Sequence, residues 1–166
     1  IKKYTGRAST RKLEATPKLD GVSFEFLVEK RAGRSYDDFV VSTRGNGNYG
    51  KDITEWFRPV FNSKDWSQFE QFYNDVPDNT YIIIRGEILV QHAVYSEHFS
   101  DFTNPRSFVS GTINSPWSEN KMNIHRREAL EWVTYDYRLA PMDPHKKYVE
   151  LSLIDPDTKE IRVLNP

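Results

Sequence analysis

The run Tyr81-Ile82-Ile83-Ile84-Arg85-Gly86-Glu87-Ile88-Leu89-Val90 constrains the fold of this chain more than any other segment, because it predicts a long strand. Side chains alternate across a strand, so Arg85 and Glu87 share a face with Ile83 and Leu89. Two charges in so apolar a strand form either an internal ion pair or a ligand site. Gly86 between them weakens the strand, which is easier to explain where something approaches the backbone closely. The longest apolar stretch, Tyr81 to Ile84, is far too short to cross a bilayer.

Other segments supply partners for this strand. Val22 to Glu29 alternates in part, Arg31 to Ser35 is a polar connection, and Phe39 to Thr43 reads as the returning strand of a hairpin. Gly45, Gly47 and Gly50 punctuate the loop that follows. Asp52 to Phe61 reads as a helix whose length Pro59 limits. Trp66, Phe69, Phe72 and Tyr73 fall on one helical face and read as core packing. His92 to Phe102 and Pro105 to Ile113 read as short helices. Glu128 to Arg138 begins helical and ends as a strand. Val149 to Ile154 and Glu160 to Leu164 give a second hairpin, capping the sheet. Residues 1–17 read as a polar arm or loop.

With 166 residues, 37% of them hydrophobic and 14% aromatic, the chain can build one globular core, and no repeat or linker divides it. One domain over residues 1–166, of α+β class, is the expectation. A net charge of −1 argues against bulk electrostatic adhesion to nucleic acid, although Arg7, Arg11, Lys12 and Lys18 could form a local basic lining. The absence of cysteine excludes disulfides and thiolate metal sites, and it allows a reducing intracellular setting. No signal-like segment opens at Ile1, and the start without Met reads as a fragment or processed chain. His92, His98, His125 and His145 show no metal-ligand spacing, so no metal ligand is assigned.

Four short clusters carry the chemistry. In Lys18-Leu19-Asp20-Gly21 a lysine stands two residues before Asp-Gly, where it is either a covalent nucleophile or an ordinary exposed lysine before a turn. A nucleophilic lysine must shed its proton, which needs desolvation or nearby positive charge. Asp20 points the same way as Lys18 in an extended segment, Leu19 the opposite way, and Gly21 permits a tight turn. Arg44 stands between a strand and a glycine-rich loop, where its fork suits a phosphate or ribose; a mobile hairpin loop explains the glycines equally well. Glu87 lies in the central strand. Arg106 follows Pro105 at a helix start, where exposed amides suit an anion.

Taken in series, K-L-D-G, T-R-G-N-G-x-x-G-K-D-I-T, R-G-E-I and N-P-R-S-x-x-S-G resemble the adenylation domain of NAD⁺-dependent DNA ligases. The resemblance covers residues 14–115, with a weaker echo to about residue 140, and leaves 141–166 unassigned. It implies an antiparallel-sheet nucleotidyltransferase fold, ATP-grasp-like and incomplete. It also implies that Lys18 attacks the α-phosphate of NAD⁺, and that the resulting lysyl-AMP passes AMP to the 5′-phosphate of nicked duplex DNA for sealing with Mg²⁺. On the same basis Asp20 joins Lys18 as catalytic, and Thr16, Leu19, Gly21, Arg44, Glu87 and Arg106 contact the adenylate. Replication or repair in an intracellular setting follows, with a viral or phage source allowed.

The chain departs from that pattern in places. Thr16 replaces a glutamate that contacts adenine, Asn46 replaces an aspartate, and Asn114 replaces a basic residue. The nicotinamide-mononucleotide-binding domain expected before Lys18 and the D-G-x-V-x-K strand expected after residue 140 are not found. The expectation is therefore a partial adenylation domain that needs further domains or a second polypeptide. The alternatives are a non-catalytic ligase-like module that binds nucleic acid or protein, and an RNA-joining or capping nucleotidyltransferase.

Overall fold

The computed structural model describes residues 18–45 and 49–142, together with the backbone of residues 160–162. The expectations for the arm before Lys18, including Thr16, for Asn46 and Gly47, and for the strand at 149–154 lie outside the described residues. Strands β1 (Val22–Lys30), β2 (Phe39–Thr43), β4 (Thr80–Val90) and β5 (Leu130–Pro141) form an antiparallel sheet in the order β2-β1-β4-β5. Between them run β3 (Tyr49–Lys51) and helices α1 (Thr54–Asn62), α2 (Ser67–Asp75), α3 (His92–His98), α4 (Pro105–Asn114) and α5 (Lys121–Glu128). A short strand β6 (Glu160–Arg162) pairs with β3. This arrangement is compatible with α+β.

Strand alternation divides the sheet into two unlike faces. Phe24, Phe26 and Val28 of β1, Phe39 and Val41 of β2, and Ile82 and Ile88 of β4 join Trp56, Phe57, Phe61, Tyr73, Phe108 and Ile113 from the helices in the main core. Phe26 is its hub, with ring centroids 4.9 Å from Phe39, 5.7 Å from Phe57 and 5.9 Å from Phe69. The Trp66, Phe69, Phe72 and Tyr73 stripe packs into this core as expected, with Trp66 capping α2 rather than lying inside it. On the other face Leu27, Tyr81 and Ile83 form a small separate cluster. Towards the Lys18 end, that same face becomes polar.

Several local expectations are corrected. Pro59 does not stop α1; the helix starts at Thr54 and runs through it to Asn62. A proline inside a helix removes a hydrogen bond and crowds the preceding turn, at a cost of about 3 kcal/mol. Burial of Trp56, Phe57 and Phe61 on one side of α1 opposes that cost. Helix α3 ends at His98 instead of Phe102, since Phe99 turns out of the helix and the Tyr95 hydroxyl donates to the Phe102 carbonyl. The helical part expected from Glu128 belongs to α5 and finishes there, so β5 starts at Leu130. In the tail, part of the strand expected at 160–164 is present as Glu160–Arg162 and pairs with β3, while its expected hairpin partner lies outside the described residues.

Gly86 does meet a close approach, and the approaching atoms belong to the chain itself. A Cβ at Gly86 would lie 2.3 Å from the Val133 carbonyl oxygen and 2.4 Å from a ring carbon of Phe24. The phenyl ring of β1 folds over the missing side chain, and no ligand is needed to explain the residue.

Candidate functional site

Four contacts that span the sequence draw the expected site residues together. The Gly21 amide donates to Oε1 of Glu87 at 3.1 Å, and the Ser23 hydroxyl donates to Oε2 of the same carboxylate at 2.9 Å. An Arg106 guanidinium nitrogen lies 3.4 Å from Oδ1 of Asp20. The Arg44 amide donates to the Ser23 carbonyl at 3.2 Å. Residues from all four clusters therefore meet around the start of β1. Among the described residues the Lys18 amine is exposed and has no hydrogen-bond or ion-pair partner.

Local sequence explains each placement. Ser23 and Glu87 are directly opposite in the β1–β4 register, as are Glu25 and Arg85. Directly opposite side chains on one face of an antiparallel pair interact, which brings the serine to the carboxylate. Gly21 is required by close packing and not by a turn with positive φ: a Cβ there would lie 2.0 Å from the Ile88 carbonyl oxygen. Arg106 sits in the first turn of α4, where Asn104 accepts from the Ser107 amide at 2.8 Å and Pro105 starts the helix. Arg44 directly follows β2 and precedes Gly45, whose φ is +53°.

The two charges of the central strand do not pair with each other. Arg85 Nε lies 2.9 Å from Oε2 of Glu25, a carboxylate buried to 6% exposure, while Glu87 is held by Gly21 and Ser23. The choice between internal ion pair and ligand site thus divides between neighbours. Arg85 takes the ion-pair role. Glu87 takes a place beside the lysine turn.

Next to this row lies a cleft of about 320 Å³ lined by Ser23, Glu25, Arg44, Arg85, Tyr135 and Arg138, among others. Arg85 and Arg138 are engaged by Glu25 and Asp136, at 2.9 and 3.2 Å. Among the described residues the Arg44 side chain has no such partner, which leaves one guanidinium available at the cleft. Tyr135 reaches the cleft through a β-bulge: Gly86 pairs with Thr134 and Arg85 with Asp136, so Tyr135 is the extra residue on β5. Bulges twist a strand and re-aim a side chain. Tyr135 is 59% exposed. Ser23, Glu25, Tyr135, Asp136 and Arg138 were not expected from the motifs; the polar alternation Ser23, Glu25 within β1 was the available signal for the first two.

Lys51, in the same extended second cluster, serves the scaffold. Its ammonium donates to the Asn114 carbonyl at the end of α4, and burial pushes its pKa down. This ties β3 to the helix that carries Arg106. Among the described residues no group of three or more acidic or histidine side chains is placed to hold a metal ion, and no helix is long and apolar enough to cross a membrane.

No protein-family model matches the chain. Curated proteins do. The DNA ligase of Anaplasma phagocytophilum is 32% identical over 121 residues, 72% of this chain and 15% of its own length. The DNA ligase of Acanthamoeba polyphaga mimivirus is 31% identical over 105 residues, 63% of this chain and 14% of its own. A protein of Invertebrate iridescent virus 6 that also carries a DNA ligase name is 28% identical over 133 residues, 80% of this chain and 18% of its own. The chain is DNA ligase-like over most of its length, and it spans less than one fifth of these relatives.

Proposed function

We propose that this chain is the nucleotide-accepting part of a DNA ligase, that Lys18 is its adenylated nucleophile, and that NAD⁺ is the adenylate donor. The observation that carries the reading is the convergence on the Lys18 turn of residues far apart in sequence. Glu87 meets Gly21 across 66 positions and Arg106 meets Asp20 across 86. Four unrelated motifs have no reason to gather around one lysine-bearing turn.

In this reading the neutral amine of Lys18 attacks the α-phosphorus of NAD⁺. A phosphorus–nitrogen bond forms, and the bond to the bridging oxygen breaks. Nicotinamide mononucleotide leaves with that electron pair, and the amine proton passes to solvent. AMP then moves to the 5′-phosphate of a nick in duplex DNA, from which the 3′-hydroxyl displaces it. Arg44 offers its guanidinium to phosphate or ribose, and Arg106 exchanges Asp20 for a phosphate oxygen. Glu87 keeps acceptor capacity for a ribose hydroxyl while it holds the turn. Leu19, half-buried between Lys18 and Asp20, orients the lysine. The exposed Tyr135 ring gives the base a stacking surface. Mg²⁺ would arrive with the phosphates, since it binds through substrate oxygens and one or two carboxylates, and it would neutralise their charge. The rest of the pocket comes from further domains or from a second polypeptide, in an intracellular setting.

The test is to incubate the chain with Mg²⁺ and labelled NAD⁺ or labelled ATP, alone and together with the remaining domains of a related ligase. A covalent AMP adduct formed from NAD⁺ is the expected result. Adduct formation from ATP alone would move the chain to an ATP-dependent class. No adduct under any of these conditions would leave a non-catalytic module that binds nucleic acid or protein as the better account.

A further inference from the structure

The Glu87 carboxylate has both oxygens committed within the protein, and both donors lie within five residues of Lys18. Oε1 accepts from the Gly21 amide at 3.1 Å and Oε2 from the Ser23 hydroxyl at 2.9 Å. Hydrogen bonds to a carboxylate are stronger than neutral ones, and two of them on separate oxygens fix its plane as well as its position. A carboxylate held only by one amide could still rotate about that contact. We propose that Ser23 is a positioning residue: its hydroxyl sets the plane of the Glu87 carboxylate, and the carboxylate in turn holds the Gly21 amide and with it the turn that presents Lys18.

The strand geometry gives this inference its direction. Ser23 faces Glu87 squarely in the β1–β4 register. Its neighbours Val22 and Phe24 belong to the opposite, core-facing side. No apolar contact in the core depends on the hydroxyl, so its removal acts on the carboxylate and spares the packing. Catalysis by a positioned nucleophile is sensitive to small displacements, because the reacting atoms must approach closely and in line. Loss of the second donor should therefore slow the chemical step more than it weakens nucleotide binding.

The functional half of this inference rests on the ligase reading, so the experiment has one arm that needs no nucleotide. Amide hydrogen exchange is measured at Gly21 in the full chain, in Ser23→Ala and in Ser23→Thr, with the Val28 amide in β1 as the internal reference. Ser23→Ala should exchange about tenfold faster at Gly21 with Val28 unchanged, and Ser23→Thr, which restores a hydroxyl, should match the parent. Unchanged exchange in Ser23→Ala overturns the proposal, as does equally fast exchange in both variants, which would assign the effect to size. The second arm measures adduct formation from NAD⁺. The saturating rate should fall about tenfold in Ser23→Ala, with KM within about twofold of the parent. A raised KM at an unchanged rate would mean that Ser23 affects only nucleotide binding through Glu87, and would contradict positioning of the lysine. Absence of any adduct in the parent protein would sink the ligase reading, and the exchange arm would still decide whether Ser23 sets the brace.

Discussion

Two faces of one sheet carry different duties, and β1 shows the division residue by residue. Phe24, Phe26 and Val28 enter the aromatic core under the helices, whereas Ser23 and Glu25 look the other way towards Glu87 and Arg85. The second face is itself divided: Leu27, Ile83 and Tyr81 make a dry cluster at one end, and the polar row begins one pleat later. A period of two places stability and chemistry on adjacent residues without making either depend on the other. Substitutions on the two faces should therefore separate cleanly, and the places where they fail to separate are the informative ones.

The largest expected effect lies on the polar face. Lys18→Ala should lower AMP-adduct formation by at least about a thousandfold and leave the thermal midpoint unchanged, since the exposed amine supports no packing. On the core face Phe26→Ala should cost about 3–5 kcal/mol in urea unfolding, because the hub of the ring cluster becomes a cavity. Arg85→Leu tests whether the separation holds everywhere. It leaves the buried Glu25 without its guanidinium, so this polar-face change should cost about 3 kcal/mol of stability as well as altering the cleft. A loss below about 0.5 kcal/mol would mean that the pair is solvated, as exposed pairs are.

Smaller effects probe the helices that frame the site. Asn104→Ala removes the side-chain acceptor of the Ser107 amide and should destabilise the chain by about 1 kcal/mol, while loosening the helix start that presents Arg106. At the start of α2 the backbone amide of Ser67, helped by its hydroxyl, holds the Asp65 carboxyl below the usual carboxylate range. A depressed carboxyl stabilises the fold above its ordinary value, and that contribution is lost as pH falls through the lowered one. The stability gap between the parent and Asp65→Ala should accordingly be present near neutral pH and close progressively as the pH is taken below about 4.

Much of this division is legible in the sequence, and the exceptions have physical causes. Partial alternation in Val22–Glu29 and the apolar run Tyr81–Val90 locate both central strands to within a residue. Residue type leaves Lys18, Glu87 and Arg106 each open to an ordinary reading, and it is the resemblance of the four motifs in series that implies a shared site. Pro59 misleads because local propensity is outweighed by the packing of Trp56, Phe57 and Phe61. Gly86 suggests a ligand because a sequence does not show that Phe24 lies opposite and folds over it. Tyr135 escapes notice because its orientation depends on a bulge, which is a property of the pairing between β4 and β5 and of neither strand alone. Ser23 is ordinary in isolation and acquires its meaning from register with Glu87.

The central claim is that the gathered polar row serves one reactive amine. Its most direct test is to incubate the chain with labelled NAD⁺ and Mg²⁺, supplied with the remaining domains of a related ligase, then digest the protein and map the label by mass spectrometry. The account predicts AMP on Lys18 and on no other lysine. A label on a different residue, or none on Lys18 while the added domains are demonstrably bound, would contradict it.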